Sequence, residues 1–328
     1  MIFEELRKEI LSNKDPYRDI LGQNEVKKQL SSALLAGRHL ILVGPPGVGK
    51  TTLAKNIAKL LGSVEISEGY GKEKKKKIIE GLKRIVRVQG SPDLTVEDLL
   101  GDIDPIKALK YGPLSLEAFT PGKIFKADKG ILFLDEINRC PEKLQNSLLQ
   151  VLEEGKATLG SYEVDFPVSL IFIATMNPED TSTEKLSDVL LDRFDLINVG
   201  YPESLEVEQK IVTEKGKTFD VSFPANLLTM SIHFVRLLRV HDKIEKRPGV
   251  RATIGLYERA QTNAEINGRK KVTFDDVADS VASVIAHRIR LKPSVKYLQS
   301  PEEFIAKEFR EFVRDHGDSY QVEKGGDG

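Results

Sequence analysis

A glycine-rich loop follows a short apolar run in the first quarter of the 328-residue chain. It has the spacing G-x-x-x-x-G-K-T from Gly44 to Thr51, between a predicted strand and a predicted helix. Glycines let successive backbone N–H groups surround phosphate oxygens, and the start of the helix adds partial positive charge. In this context the spacing predicts a phosphate-binding loop rather than an ordinary tight turn. The contributing residues are Gly44, Gly47, Val48, Gly49, Lys50, Thr51 and Thr52.

Four side chains in and beyond this loop have defined chemistry. Lys50 is expected to reach the β- and γ-phosphates of a bound nucleotide, and the Thr51 hydroxyl is expected to ligate Mg²⁺. Asp135 and Glu136 end an apolar run, where ligands bind in open α/β sheets. Asp135 would hold Mg²⁺ through its water shell, and Glu136 would act as general base on the attacking water. The alternative is that the acidic pair only caps a helix.

A parallel sheet is expected to position these groups, because apolar runs alternate with helical patterns between residues 39 and 199. Most of the runs are continuous, which is typical of strands covered on both faces. The predicted strands are His39 to Val43, Ile85 to Val88, Ile131 to Leu134, Leu170 to Ala174 and Leu196 to Val199. The sequence therefore predicts a three-layer α/β domain over residues 1–201 with a five-stranded parallel sheet.

Beyond Pro202 the strand signals stop and the pattern becomes helical. The predicted helices are Ser204 to Thr213, Ala225 to Lys246, Arg251 to Asn267, Phe274 to Arg290 and Glu302 to Asp315. Thr273 and Asp276 have the spacing of a capping box at the start of the fourth helix. We therefore predict an all-α domain over residues 202–294, followed over 295–328 by a C-terminal helix and a disordered tail.

Charge and composition exclude several classes of protein. Lys and Arg total 49 against 50 for Asp and Glu, so the net charge of -1 gives no general attraction to nucleic acid or anionic membranes. A single cysteine cannot form an intrachain disulfide, and the five histidines lack the spacing of a zinc site. The acidic start does not resemble a signal peptide, and no apolar run approaches the roughly 20 residues that cross a bilayer. These features predict a cytoplasmic protein without a membrane partner and argue against a nucleic-acid partner.

Together with two further segments, the phosphate loop and the acidic pair resemble the AAA+ ATPases. The sequence IATMNP resembles the end of the sensor 1 strand, which implies that Asn177 orients the lytic water. The sequence LLDRFD resembles the arginine-finger segment, which implies that Arg193 reaches the γ-phosphate held by a neighbouring subunit. The alternatives are a structural role for Asn177 and an ordinary surface ion pair for Arg193.

Two weaker matches extend the resemblance. Arg251 resembles the sensor 2 arginine of the AAA+ lid domain, although Arg247 lies one helical turn away and is a competing candidate. The sequence ILGQ resembles the adenine-pocket segment, in which the backbone around Ile20 and Gly22 would contact the base.

Within the AAA+ family, the resemblance is to the clade of MoxR proteins and magnesium-chelatase ATPase subunits. The segment from Gly101 to Gly122 is similar to the helix-2 insert of the chelatase subunits, and Arg87 to Leu94 is similar to the preceding segment of MoxR proteins. A second hairpin is expected from Ala157 to Phe166, just before the sensor 1 strand. The alternative is that these insertions, near residues 101–120 and 156–167, are ordinary surface loops.

Two features have no counterpart in the resemblance. The stretch from Glu65 to Lys83 is strongly basic, with a run from Lys74 to Lys77. We interpret it as a solvated helix or linker rather than a nucleic-acid contact, because only Tyr70 is near enough to stack on a base. Cys140 has no histidine neighbour, and we interpret it as a packed small residue.

The resemblance implies an ATPase that uses ATP and Mg²⁺ to remodel or activate a partner protein, acting as a ring of six subunits. The implied partner is a protein with a von Willebrand-type domain. The alternatives are the ATPase subunit of a magnesium or cobalt chelatase, a nucleic-acid motor, and a nucleotide switch without hydrolysis. The last is disfavoured because all the candidate groups are present, namely Lys50, Asp135, Glu136, Asn177 and Arg193.

Overall fold

The computed structural model describes residues 2–68, 75–112, 115–159, 164–180 and 186–320. The chain forms two compact units. The first comprises Met1–Pro45 and Gly49–Val199, and the second comprises Gly200–Gly328 together with Pro46–Val48. No helix in the described ranges is both long enough and apolar enough to cross a membrane.

The strands are β1 His39–Val43, β2 Ser63–Glu68, β3 Lys75–Glu80, β4 Ile85–Gln89, β5 Gly101–Ile103, β6 Phe119–Pro121, β7 Ile131–Asp135, β8 Lys156–Leu159, β9 Val164–Pro167, β10 Ile171–Met176, β11 Phe194–Asn198, β12 Ile244–Lys246 and β13 Arg290–Leu291. The helices are α1 Ile2–Ser12, α2 Asn24–Leu35, α3 Lys50–Lys59, α4 Val96–Leu100, α5 Pro105–Tyr111, α6 Lys123–Lys126, α7 Glu142–Glu154, α8 Asp188–Leu191, α9 Leu205–Lys215, α10 Ala225–Leu238, α11 Val250–Ile266, α12 Phe274–Ile285, α13 Pro293–Lys296 and α14 Pro301–His316.

The first unit is built on a five-stranded sheet in which every neighbouring pair of strands is parallel. The strand order is β11-β1-β10-β7-β4, which confirms the predicted sheet. Branched and aromatic side chains fill the central strands and are buried on both faces. Because the strands run in one direction, the segments that follow β1, β4, β7 and β10 all emerge at one carboxyl edge.

Helices cover both faces of this sheet. On one face, Leu132 and Leu134 of β7 belong to a buried cluster with Leu144 and Leu148 of α7. The same cluster contains Cys140, which is a packed small residue as interpreted from the sequence. Helices α2 and α3 also contact the sheet strands, and the alternate strand residues are buried outside that cluster. The unit therefore has the predicted three layers.

Two antiparallel hairpins interrupt the α/β pattern where the insertions are expected. The first pairs β5 with β6 and contains α5, whose start is capped by the Asp104 carboxylate. The second pairs β8 with β9 just before β10, and its residues 160–163 lie outside the described part of the chain. In the described residues, the insertions are thus paired strands rather than plain loops.

The basic stretch after α3 is a hairpin, so the interpretation as a solvated helix or linker is wrong. Strands β2 and β3 pair antiparallel from Ser63–Glu80 to Glu68–Lys75. Val64 and Ile79 face each other, and Lys76 forms an ion pair with Glu65 at 2.8 Å. This cross-strand pairing stabilises a strand in a lysine-rich sequence. Residues 69–74, which include Tyr70, lie outside the described part.

The second unit is a helical domain with a buried core, to which Phe234 of α10, Leu256 of α11, Val281 of α12 and Phe309 of α14 contribute. The predicted capping box at the start of α12 is present. The C-terminal helix α14 packs into this same core, and the tail beyond residue 320 lies outside the described part.

Two of the predicted helices in this unit are shorter than expected. Helix α10 ends at Leu238 rather than Lys246, and α12 ends at Ile285 and is followed by a single 3-10 turn. The segments beyond both ends form β12 and β13, which pair antiparallel and bury Ile244 beside Leu291. Burial of that apolar pair outweighs the helical propensity of the charged residues around it.

Candidate functional site

The phosphate loop connects the carboxyl end of β1 to α3. Gly47 and Gly49 have φ angles of 82° and 98°, left-handed values that residues with a Cβ rarely adopt. The Gly44 N–H donates to the Met176 carbonyl at 3.1 Å, which attaches the start of the loop to the end of β10. The local structure is the strand–loop–helix arrangement that a phosphate loop requires.

Lys50 is held by the loop itself. Helix α3 begins at this residue, so Thr51 and Thr52 lie in its first turn, where backbone N–H groups lack partners within the helix. The Lys50 ammonium donates to the carbonyl oxygens of Gly44 and Pro45, at 2.5 and 2.9 Å. These contacts direct the ammonium across the loop, where bound phosphate needs a counter-ion.

Replacing Lys50 with alanine is expected to weaken ATP binding by about ten- to a hundredfold, because a hydrogen bond to a charged group contributes about 1.5–3 kcal/mol. Calorimetric titration with Mg·ATP measures the change. Lys59→Ala is the matched control, since it removes a lysine from the other end of α3, where it pairs with Asp19. Wild-type affinity in the Lys50 variant would show that the loop is only a structural turn.

Thr175 organises the acidic pair. Its buried hydroxyl donates to Asp135 Oδ1 at 2.6 Å and accepts the Glu136 N–H at 2.9 Å. The Arg87 guanidinium lies 2.6 Å from the other carboxylate oxygen of Asp135. Both oxygens of Asp135 are therefore engaged, and its carboxylate has a fixed orientation at the end of β7.

Glu136 lies in a strained turn at the same edge. Its φ and ψ are 60° and 55°, in the left-handed region that is uncommon for residues other than glycine. Gln89 Nε2 donates to Glu136 Oε2 at 3.0 Å, and Arg139 Nε lies 3.4 Å from the same oxygen. A Cβ at Gly90 would lie 2.1 Å from the Glu136 carbonyl oxygen, so only glycine permits this approach. Strain of this kind is common in functional sites.

Arg139 links Glu136 to the segment after β10. Its guanidinium donates twice to Asp180 Oδ2, at 2.6 and 3.1 Å. The hydrogen bond to Asp180, with the nearby charge of Glu136, raises the pKa of Arg139 above its ordinary value. Glu136 therefore has a permanent cation beside it.

Asn177 follows directly after β10, the strand that lies between β1 and β7. Its Oδ1 accepts the Glu179 N–H at 3.2 Å, and its carbonyl oxygen accepts Asn138 Nδ2 at 3.3 Å. The order of the strands thus brings Asn177 to the carboxyl edge, between the strand ends that carry the phosphate loop and the acidic pair.

Arg193 lies at the opposite edge of the sheet. It immediately precedes β11, whose first residue Phe194 pairs with His39 at the start of β1. Because β1 and β11 are parallel, Arg193 is at the amino edge, whereas the phosphate loop follows the carboxyl edge. Five strand residues span about 16 Å. The Arg193 side chain is too short to reach the phosphate loop of its own chain.

Within the chain, Arg193 has the contacts of a structural arginine. Its guanidinium pairs with Glu153 of α7 and donates to the Val189 carbonyl in α8. The alternative that the sequence left open, an ordinary ion pair, is therefore formed, and a role in catalysis requires a second subunit.

The side chain of Arg251 lies beside the phosphate loop, because a Cβ at Gly47 would be 3.4 Å from Arg251 Cγ. Arg251 is the second residue of α11 in the second unit, where it is exposed. Burial, together with the charge of Arg251, lowers the pKa of Arg288 below its ordinary value.

The segment around Ile20 and Gly22 forms a tight turn before α2. Ile20 is buried and its N–H donates to the Tyr17 carbonyl at 3.0 Å, while Gly22 has a φ of 64°. Burial raises the pKa of Tyr17 to about 12, and its hydroxyl accepts a hydrogen bond from Ser31 of α2. The turn is thus anchored to α2 by a buried tyrosine.

The oxygen donors in this site suit Mg²⁺ bound together with a nucleotide. Among the described residues, no group of three His, Cys, Asp or Glu side chains could hold a metal ion alone. Mg²⁺ in nucleotide sites takes one or two protein oxygens and completes its shell with phosphates and water. The Thr51 hydroxyl and the oriented Asp135 carboxylate are donors of this kind.

The sequence analysis missed three side chains at strand ends that contact the acidic pair. Arg87 and Gln89 lie at the end of β4, where the register places Gln89 opposite Asp135. Thr175 lies one residue before the end of β10. Their common signal is a polar residue at the carboxyl end of an apolar strand, but only the strand order shows which of these ends are neighbours.

The chain matches two family models, the AAA domain of the dynein-related subfamily over residues 39–194 and the AAA lid domain over residues 237–308. The fold is shared with a RuvB mutant from Thermotoga maritima, at a TM-score of 0.51 and 18% identity, covering 93% of this chain and 79% of that one.

Two similar proteins of known name cover most of the chain. The magnesium-chelatase subunit ChlI homolog of Methanocaldococcus jannaschii is 27% identical over 320 residues, covering 85% of this chain and 86% of its own. The chaperone MoxR1 of Mycobacterium tuberculosis is 27% identical over 305 residues, covering 84% and 73%. Fold, family models and relatives agree that the chain belongs to the AAA+ ATPases, in the clade of MoxR and magnesium-chelatase ChlI proteins, and that it hydrolyses ATP.

Proposed function

We propose that this ATPase is a Mg²⁺-dependent motor of the MoxR type, which remodels or activates a partner protein and works as a ring of identical subunits. The observation that carries the proposal is helix α5 in the first insertion hairpin, where Ile106 and Leu109 are 80% and 90% exposed. Tyr111, at the end of the same helix, is also exposed. Grouped apolar side chains on a surface favour a contact with another protein.

ATP chemistry is assigned to the carboxyl edge of the sheet. Backbone N–H groups of the phosphate loop and the Lys50 ammonium hold the phosphates. Thr51 and Asp135 hold Mg²⁺, which offsets phosphate charge when it is bound. Glu136 takes a proton from the attacking water, and Asn177 orients that water. The Thr175 hydroxyl supports these roles, because it fixes the two carboxylate residues relative to each other.

Arg193 is assigned to the ATP site of the next subunit. Its position at the amino edge supports this assignment, since it cannot act on its own phosphate loop. An arginine supplied by a neighbour stabilises the charge that develops on the γ-phosphate. A head-to-tail contact of this kind closes into a ring, for which the family implies six subunits. Arg251 is assigned the sensor 2 role, contact with the phosphates of bound nucleotide.

The partner is assigned by the MoxR relationship as a protein with a von Willebrand-type domain.

A second candidate function, the ATPase subunit of a magnesium or cobalt chelatase, is favoured by the relatives named as ChlI subunits, which match over as much of the chain as MoxR1 does. A reconstitution with the other chelatase subunits and a porphyrin separates the two. Metal insertion that depends on this chain and ATP would establish the second candidate. The near-neutral net charge argues against a nucleic-acid motor.

The double variant Ile106→Ser with Leu109→Ser tests the partner contact. Both side chains are already in water, so we expect unchanged folding and a basal ATPase rate within about twofold of wild type. Stimulation of the ATPase by the von Willebrand-type protein from the same genome should fall by about tenfold or more, as when central apolar contacts of an interface are removed.

Ile266→Ser is the matched control, because Ile266 is 82% exposed at the end of α11. It should leave the partner's effect unchanged. Full partner stimulation of the double variant would contradict the assignment of α5 as the contact. Loss of ATP binding by the folded double variant would show instead that the insertion builds the nucleotide pocket.

A further inference from the structure

A buried cluster of charges in the second unit has no part in the chemistry assigned above. The Glu208 side chain of α9 is fully buried, and the side chain of Arg239, the C-cap residue of α10, is 5% exposed. They form a bidentate pair, with Arg239 Nη1 donating to Oε2 at 2.7 Å and Nη2 donating to Oε1 at 2.6 Å. Burying two charges costs free energy, even when they are well paired. An apolar pair would hold the helices together at lower cost, so this pair suggests a need for fixed orientation.

The cluster contacts the start of α11 on both sides of Arg251. Arg239 Nε donates to the Pro248 carbonyl at 3.0 Å, two residues before the helix begins at Val250. Thr253, in the first turn, is 1% exposed, and its hydroxyl donates to Glu208 Oε1 at 2.7 Å. Arg251 therefore lies between two residues that are hydrogen-bonded to the ion pair, Pro248 through its backbone carbonyl and Thr253 through its side chain.

The start of α11 lacks an N-cap side chain. Its N-cap residue is Gly249, which has no side chain to accept an N–H from the first turn. The attachment through Pro248 and Thr253 therefore takes over the task of fixing where the helix begins. Hydrogen bonds to a bidentate ion pair are directional, so they fix the rotation of the helix about its axis as well as its position.

The same cluster is attached to the segment that enters the second unit. Arg236 Nη1 lies 3.3 Å from Glu208 Oε2 and also donates to the carbonyl oxygens of Pro202 and Ser204, at 3.0 and 3.2 Å. The start of α11 is thus fixed relative to α9, α10 and the entry segment through one carboxylate.

We propose that Glu208 and Arg239, with Thr253, are positioning residues for Arg251. They fix the first turn of α11, so that the exposed guanidinium of Arg251 is presented in one direction to the phosphates of bound ATP. This inference rests on the sensor 2 role proposed above for Arg251. Through Glu208, Arg239 and Thr253, that role would depend on the rest of the second unit.

Glu208→Gln tests the inference, measured alone and in the Arg251→Ala background. Glutamine has the same shape but removes the charge that holds both arginines. Alone, the substitution should raise the dissociation constant of a fluorescent ATP analogue by about tenfold, a coupling typical of residues in one hydrogen-bonded network. In the Arg251→Ala background it should change that constant by less than about twofold, because the side chain that it positions is gone.

Thr253→Val provides a second variant that keeps the ion pair and the shape of the side chain. It removes one of the two attachments, and about a threefold weaker affinity is expected, again only when Arg251 is present. Thr253→Ser restores a hydroxyl and should restore the affinity. These variants keep the test decisive should Glu208→Gln fail to fold.

Asp276→Asn is the matched control for lost stability. Asp276 is 1% exposed and also forms a bidentate pair, with Arg269 at 2.5 and 2.6 Å, but at the start of α12. It should lower the melting temperature comparably and leave ATP affinity unchanged. If this control loses as much ATP affinity as Glu208→Gln does, the Glu208 cluster has only a structural role. The same conclusion follows if Glu208→Gln weakens ATP binding equally in the Arg251→Ala background. If Arg251→Ala alone leaves affinity and turnover at wild-type values, the role of Arg251 itself fails, and the positioning role fails with it.

Discussion

Replacing Glu136 with glutamine is expected to lower ATP turnover by about two orders of magnitude or more, while ATP remains bound. The amide keeps the size of the side chain and can still pair with Gln89, whose Nε2 donates to Glu136 Oε2 at 3.0 Å. It cannot accept a proton from water, and a general base contributes about a hundredfold to ten-thousandfold in rate. Phosphate release and calorimetric titration with Mg·ATP measure the two quantities separately.

Glu179→Gln is the matched control, because it makes the same change at an exposed carboxylate two residues beyond Asn177. It should leave turnover and binding at wild-type values. Unchanged turnover in Glu136→Gln would exclude Glu136 as the base. A loss of binding of the same size as the loss of turnover would show that Glu136 supports the nucleotide rather than the chemistry.

Asp135 and Glu136 differ in their contacts, as the two roles proposed for them require. Asp135 has both oxygens engaged, by Thr175 and Arg87, which suits a group that holds its position. Glu136 leaves the strand in the left-handed conformation, accepts a hydrogen bond from Gln89 Nε2 and lies 3.4 Å from Arg139 Nε. These contacts fit the proposed roles, in which Asp135 holds a bound ion in place and Glu136 acts on the attacking water.

The central sheet could be predicted from the sequence because its strands are covered on both faces. A continuous apolar run such as Ile131 to Leu134, between helical patterns, indicates a strand that is buried on both faces. The observed strand β7 differs from this prediction by one residue. The β2–β3 hairpin could not be predicted in this way. Its stability comes from cross-strand pairs such as Val64 with Ile79, and a run of lysines conceals that alternation.

The candidate site also has one part that could be predicted from the sequence and one part that could not. Its contiguous parts, the phosphate loop and the acidic pair, carry their chemistry in local spacing and could be predicted residue by residue. The contacts of Gln89 and Thr175 with Glu136 and Asp135 join residues about 40 to 50 positions apart, and they exist only because β4 and β10 flank β7. No local pattern encodes the order of strands in a sheet.

Arg193→Ala is expected to lower turnover by about a thousandfold, if its guanidinium completes the ATP site of the next subunit. Its pair with Glu153 offers the competing explanation, in which the loss reflects a damaged structure. Glu153→Gln separates the two, because it breaks the same ion pair and leaves the arginine in place. Near wild-type turnover in that variant, together with a dead Arg193→Ala protein of unchanged melting temperature, would assign the loss to the missing guanidinium.

Mixing two inactive proteins then tests whether the arginine acts between subunits. Arg193→Ala subunits keep their own Glu136, while Glu136→Gln subunits keep the arginine that they present to a neighbour. Random assembly at equal ratio leaves both groups intact at roughly a quarter of the interfaces, so about a quarter of wild-type turnover should appear. The double variant carrying both substitutions is the control, because mixing it with either parent completes no site. A mixture of the two single variants that stays inactive, although the proteins co-assemble, would mean that every site needs both groups from one chain. Since Arg193 and the phosphate loop lie at opposite edges of one sheet, that outcome would remove Arg193 from the chemistry and leave it as the partner of Glu153.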